Sequence, residues 1–118
     1  MKHQSGKKKL NKRSGHRKAL LRNQAIHFIK YGCLQSTRVR VKEVQRFTEK
    51  IITVARKGYD FNTIRRIKKL LPYNEEMVVK VIKEIAPRYI DRPGGYTKVI
   101  PLGARTSDTA KVARLEWV

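Results

Sequence analysis

Apolar residues recur at helical spacing in four separate stretches of this chain, and at alternate positions in one more. The first stretch places Leu21, Ala25, Phe28 and Ile29 on one stripe, with Arg17, Lys18, Arg22 and Lys30 mostly off it. Ser14 fits an N-cap ahead of that stripe, since its hydroxyl can accept from the exposed amides of a first turn. Gly32 fits the stop. Val41, Val44, Phe47, Ile51, Ile52 and Ala55 form a cleaner stripe behind Thr37 as a cap. This second helix is expected to carry Arg56 and Lys57 in its last turn, at the negative end of its dipole, before Gly58. A shorter third helix is predicted from about Asn62, using Ile64, Ile67, Leu70 and Leu71, and stopping before Pro72. Asn74 caps a fourth, with Glu75 and Glu76 in its positive first turn, Val78, Val81, Ile82 and Ile85 facing inward, and Pro87 at its end. The β-branched content of this last stretch keeps a strand as the alternative.

Past residues 91–95 the period shortens. "YTKVIPL" (96–102) is β-prone, and Pro101 confines it to an edge or a strand end. "GARTSDT" (103–109) reads as a loop. "AKVARLEWV" (110–118) then alternates, with Ala113, Leu115 and Trp117 on one face and Arg114 and Glu116 on the other. "CLQST" (33–37) suits one brief strand, which would make a hairpin into a three-stranded sheet. The fold class expected is α/β of the α+β kind, with about four helices packed on a small three-stranded sheet. Phe47, Ile51, Ile82 and Leu115 are expected in one buried cluster. Residues 1–13 have no usable periodicity and read as a basic extension, too poor in large apolar groups to fold by burial. Residues 14–118 then form a single globular domain, a size that buries one core.

Charge sharpens the picture. The net charge is +20, and thirteen Lys and Arg precede Glu43, the first acid of the chain. Twenty unbalanced positive charges repel one another in a compact monomer and imply a polyanionic partner, nucleic acid or an anionic membrane. No apolar run approaches the roughly 18 residues of a spanning helix. Charge also interrupts the apolar stretches near the N-terminus, against a secretory signal; a Lys-rich, Gly-punctuated start argues against an organelle presequence. The single cysteine, Cys33, excludes an intrachain disulfide and fits a reducing compartment.

Little here points to catalysis. His3, His16, His27 and Cys33 match no zinc spacing, so no metal is expected. The nine acids are scattered and five of them fall on helix surfaces, where they balance Lys and Arg. No enzyme, cofactor or small-molecule substrate is expected. "RPGGYT" (92–97) offers paired glycines that let another backbone come close, which suits either a helix-to-strand turn or a phosphate contact. It is no P-loop, since the lysine–hydroxyl ending is absent. Four successive apolar stripes are more simply one shared core than a lipid-binding face, so no membrane partner is expected. A helix-turn-helix would concentrate charge on one recognition helix, whereas here positive charge recurs in every element.

Three segments carry a more specific signal: "SGKKKLNKRSGHRKALLRNQ" (5–24), "STRVRVKEVQRFTEKIITVARKG" (36–58) and "RYIDRPGGYTKVIPLGARTSDTAKVARLEWV" (88–118). In order and spacing they closely resemble the bacterial-type large-subunit ribosomal protein seventeen family. The resemblance implies a structural constituent of the large ribosomal subunit that binds 23S-type ribosomal RNA, has no catalytic activity and lies around the outer region of the peptide exit tunnel. Large-subunit ribosomal RNA and neighbouring large-subunit ribosomal proteins are the implied partners, in a cytoplasmic ribosome or an organellar one. Carried over by motif, RNA contacts are expected from Lys7, Lys8, Lys9, Asn11, Lys12, Arg13, His16, Arg17, Lys18, Arg22 and Asn23, and from Arg92, Gly94, Gly95, Tyr96 and Lys98. The readings that remain open are a free-standing nucleic-acid chaperone or nucleoid-like DNA binder, and a cationic membrane-active protein.

Overall fold

In the computed structural model, which describes residues 13–72 and 74–118, the first helix, α1, runs Ser14–Tyr31. The expected basic extension up to Lys12 lies outside the described residues. Arg13, extended at φ −63 and ψ 154, holds the cap position with no side-chain bond, so Ser14 is the first helical residue and not the cap. Gly32 closes α1 as expected. Its φ of +80 is left-handed, and its amide bonds the Phe28 carbonyl at 2.8 Å.

Strand β1 (Cys33–Thr37) runs directly into α2 (Arg38–Ala55), with Thr37 at the cap position but making no side-chain cap bond. The helix stops at Ala55, so Arg56 and Lys57 follow it and do not occupy its last turn. Helix α3 is Phe61–Leu70 and ends ahead of Pro72. Helix α4 (Glu75–Lys80) is capped as its sequence predicts, the Asn74 side chain accepting from the Met77 amide at 3.3 Å.

Pro87 does not end this last helical run. The path widens into a π turn, Val81–Ile85, and tightens into a 3₁₀ turn, Ala86–Tyr89. Proline lacks an amide and its ring crowds the carbonyl four residues back, so an α ladder cannot pass through it. The Ala86 amide instead reaches the Val81 carbonyl, five residues back, just before the ring arrives. The strand alternative for this stretch is thereby excluded.

Strands β2 (Thr97–Ala104) and β3 (Lys111–Trp117) pair antiparallel, and β1 joins the other side of β3, giving the order β1-β3-β2. Leu115 faces Leu34 on one neighbour and Val99 on the other. The alternation of β3 is as expected: Ala113 and Leu115 are buried, while Arg114 and Glu116 pair at 2.6 Å on the opposite face. Pro101 sits on an edge strand, where a missing amide costs no ladder bond, and the register slips between Pro101 and Gly103. Because that slip skips Leu102 and pairs Gly103, at φ +87, with Val112, the strand continues through Ala104; the loop begins at Arg105 and not at Gly103.

The core is two clusters, not one. Ile51 and Ile82 belong to a cluster of α2 with α3, α4 and the turns behind it. Leu115 belongs to a second, made by α1, α2 and the sheet, with Phe28, Leu34, Val41, Val44 and Ala113. Phe47 and Trp117 are half-buried and pack against both. The cause is length: at 1.5 Å per residue, α2 is about 27 Å long, enough to roof the sheet with its first half and the other helices with its second. Ile51→Ala should therefore lower the unfolding free energy by about 2–5 kcal/mol. Phe47→Ala, losing a partly exposed ring, should fall below the usual ~3–5 kcal/mol for a buried phenylalanine. Urea denaturation of the two variants checks the order.

Candidate nucleic-acid interface

The two segments singled out by sequence end on different sides of α2. Along that helix Gln45, Glu49, Thr53 and Arg56 lie on one flank of the buried stripe and Phe47 lies on the other, as the 3.6-residue period requires. The two ends of the glycine turn, Ile90 before it and Tyr96 and Thr97 after it, dock on the first flank. Gln45 Nε2 donates to the Thr97 carbonyl at 3.4 Å, and Thr97 Oγ1 donates to Glu49 at 3.4 Å. Arg56 donates to the Tyr96 hydroxyl at 3.2 Å and to the Ile90 carbonyl at 2.6 Å. The first half of α1, with Lys18, Leu21 and Arg22, faces the second flank at Phe47.

Within the turn, Gly94 and Gly95 take φ +146 and +63, values that ask for glycine, and Arg92 Nε reaches the Gly94 carbonyl at 3.2 Å. Arg92, Gly95 and Lys98 are exposed and Gly94 is half-buried. Tyr96 is 1% exposed, stacked at a tilt on Tyr89 with ring centroids 5.3 Å apart. Its ring is a core anchor that fixes the glycines, and the turn offers a partner its backbone and two cations.

On α1, Arg13, His16, Lys18 and Asn23 are exposed and Arg17 and Arg22 half-buried; Lys7, Lys8, Lys9, Asn11 and Lys12 lie outside the described residues. Lys18, Arg22, Ala25 and Ile29 stand at i, i+4, i+7 and i+11, so Lys18 and Arg22 continue the buried stripe instead of avoiding it. Beyond the core that stripe opens over a groove of about 290 Å³, lined by Lys18, Leu21, Arg22, Phe47, Lys69 and Leu70. Two further recesses adjoin it. One, of about 250 Å³, shares Arg22 and adds Ala19, Asn23, Ile26, Pro72 and Asn74. The other, of about 350 Å³, shares Lys69 and adds Asn62, Arg65 and Arg66. No Asp or Glu lines any of the three.

Sequence reasoning missed the cations of α3. The signal was present in "IRRIKK" (64–69), where Ile64 and Ile67 mark the inner side and leave Arg65, Arg66 and Lys69 outside. A further basic recess, of about 420 Å³, lies on the outer face of α2, between Arg38, Val39, Lys42, Glu43, Arg46 and Lys111. Among the described residues, no three His, Cys, Asp or Glu side chains come together, and no helix is long and apolar enough to cross a membrane.

The sequence profile of the family described as Ribosomal protein L17 matches residues 20–118. The chain belongs to the ribosomal protein L17 family. Among its relatives, the large ribosomal subunit protein bL17 of Bdellovibrio bacteriovorus is 43% identical over 116 residues, covering 98% of this chain and 63% of that protein. The bL17 of Campylobacter lari is 42% identical over 118 residues, covering 100% of this chain and 99% of the relative. That of Sulfurovum sp. is 42% identical over 118 residues, with both chains covered in full.

Few carboxylates of this L17-family chain face its basic grooves. Glu75 pairs with Lys68 at 3.6 Å, Glu116 with Arg114 and Lys98, and Glu43 with Arg46 at 3.7 Å. Burial pushes the Glu49 carboxyl up from its ordinary range, against the hydrogen bond from Thr97. Asp108 goes the other way: hydrogen bonds from the Arg105 side chain, at 2.6 and 2.7 Å, and from the Ala110 amide hold it at about 2. A carboxyl with a lowered folded pKa steadies the β2–β3 loop above its ordinary pKa of 3.8 and loses that effect as pH falls towards 2. An NMR titration of the Asp108 side chain should thus show a midpoint of about 2. Arg105→Ala should move it back up, towards the ordinary carboxylate range.

Proposed function

We propose that this chain is a structural constituent of the large ribosomal subunit, working in the cytoplasmic ribosome, where it binds large-subunit ribosomal RNA and supports assembly around the outer region of the peptide exit tunnel. The observation that carries this reading is the family match over residues 20–118, together with relatives whose names place them in the large subunit. Physics supports the same partner. The described residues hold twenty-four of the 29 Lys and Arg against all nine acids, so folding leaves most of the surplus outside. A polyanion neutralises that surplus.

In this reading the work is positional. Residues 1–13 are an RNA-binding extension, with Lys7, Lys8, Lys9, Asn11, Lys12 and Arg13 on phosphates and sugars, and residues 14–118 fold as one domain. His16, Arg17, Lys18, Arg22 and Asn23 carry the same contact onto α1. Arg92 and Lys98 supply cations on the far flank of α2, and Gly94 and Gly95 let a phosphate approach the backbone of the turn. Tyr96 holds that turn in place from beneath. The neighbouring large-subunit proteins take the remaining surface. No step of chemistry is assigned, because the family role is structural.

Two measurements test this. If some six phosphates are neutralised, log K for an RNA hairpin should fall with log salt at a slope of roughly −4 to −5. A slope near zero would remove electrostatic RNA binding from the account. Deleting residues 2–13 should leave the thermal midpoint nearly unchanged while weakening RNA binding and incorporation into subunits. Loss of the folded domain on that deletion would instead assign the extension to the fold.

A further inference from the structure

Helix α3 carries more positive charge than its own stability explains. Lys68 and Lys69 lie in its last turn, where cations suit the dipole, and Lys68 has Glu75 at 3.6 Å. Arg65 and Arg66 have neither reason, although Arg65 lies 5.6 Å from the centroid of the Phe61 ring one turn back. They sit mid-helix, and Arg65 stands four residues before Lys69, a like-charge spacing that weakens a helix by about 0.2–0.5 kcal/mol. Among the described residues, none of Arg65, Arg66 and Lys69 is paired with a carboxylate. Asn62, Arg65, Arg66 and Lys69 fall at i, i+3, i+4 and i+7, so one face of the helix presents them together, as a recess with no acid in it.

That recess does not stand alone. It meets the α1–α3 groove at Lys69, and the groove carries Lys18 and Arg22 on its other wall. The two recesses, joined at Lys69, make a channel whose lining combines the donors of Asn62, Arg65, Arg66, Lys69, Lys18 and Arg22 with the apolar Leu21, Phe47 and Leu70. Arg and Lys offer donors and no acceptor, so the channel suits a chain of anions in series and not a mixed polar surface.

Resting on the reading that the chain binds ribosomal RNA, we infer that α3 and the groove it shares with α1 form a second surface that tracks an RNA backbone. Arg65, Arg66 and Lys69 take phosphates of the strand whose continuation reaches Lys18 and Arg22. The contact is to backbone and carries no base specificity. It also gives the domain an RNA surface independent of the first twelve residues.

The test compares three forms of the full chain on one synthetic RNA hairpin over a range of salt. These are the wild type, R65Q/R66Q/K69Q, and K50Q/K57Q/R88Q, which removes the same charge from exposed positions elsewhere. Each lost phosphate contact lowers the steepness of the salt plot by about 0.7–0.9, so the α3 variant should lose roughly 2 to 3 in slope and the control much less. Equal slopes for wild type and the α3 variant would overturn the inference while leaving RNA binding intact. An equal drop in the control would also overturn it, by showing net charge alone at work. A flat plot for the wild type would overturn the RNA reading itself and this surface with it. Thermal midpoints within a few degrees of wild type show that the variants fold; should the triple variant not fold, R66Q alone should still lower the slope by about 1.

Discussion

Every other contact in this fold depends on burying the apolar stripe of α2. Val41 and Val44 close the roof over the sheet with Leu34, Ala113 and Leu115, and Ile51, Ile52 and Ala55 close the helical half. Phe47 and Trp117 tie the halves together. Phe28 stacks on Trp117 with ring centroids 4.4 Å apart, which fixes α1 against the end of the central strand. Once α2 is buried along one face, its two flanks are committed. One holds the glycine turn through Glu49, Thr53 and Arg56; the other overlooks the groove between α1 and α3. The separation of the two basic surfaces is a consequence of helical geometry in one element.

Charge sets the second constraint. A small domain has little apolar surface to set against self-repulsion. The carboxylates are accordingly placed where they steady local structure: Asp108 in a tight loop, Glu75 at a helix start, Glu116 on the central strand beside Arg114 and Lys98. None is placed in the groove. The acids of the hairpin are thus paired with Arg105, Arg114 and Lys98, whereas no carboxylate lines the groove between α1 and α3, and that groove is where a polyanion gains most.

Much of this was readable in the residues. The stripe of α2, the Asn74 cap, the alternation of β3 and the edge position of Pro101 each follow from a local rule that tertiary structure did not override. The failures have physical causes too. Pro87 was expected to stop a helix, but a π turn precedes it, with the Ala86 amide reaching the Val81 carbonyl, and a 3₁₀ turn carries the chain through it. Lys18 and Arg22 were expected off the apolar stripe; they lie on it because α1 outruns its core, and a stripe beyond the core faces a groove. Tyr96 entered the expected contacts by resemblance to the family motif, and what the residues alone did not tell is that its ring turns inward to Tyr89 and Arg56. The cations of α3 went unassigned because periodicity tells which side is buried and is silent on what meets the other side.

The central proposal is that the acid-free groove between α1 and α3 is where this chain holds ribosomal RNA. Ultraviolet crosslinking in living cells tests it most directly, with the attached RNA sequenced and the crosslinked peptides mapped by mass spectrometry. The account predicts reads concentrated in large-subunit ribosomal RNA and crosslinked peptides from α1 and α3. Reads spread across many transcripts, or crosslinks confined to other surfaces while α1 and α3 stay free, would contradict it.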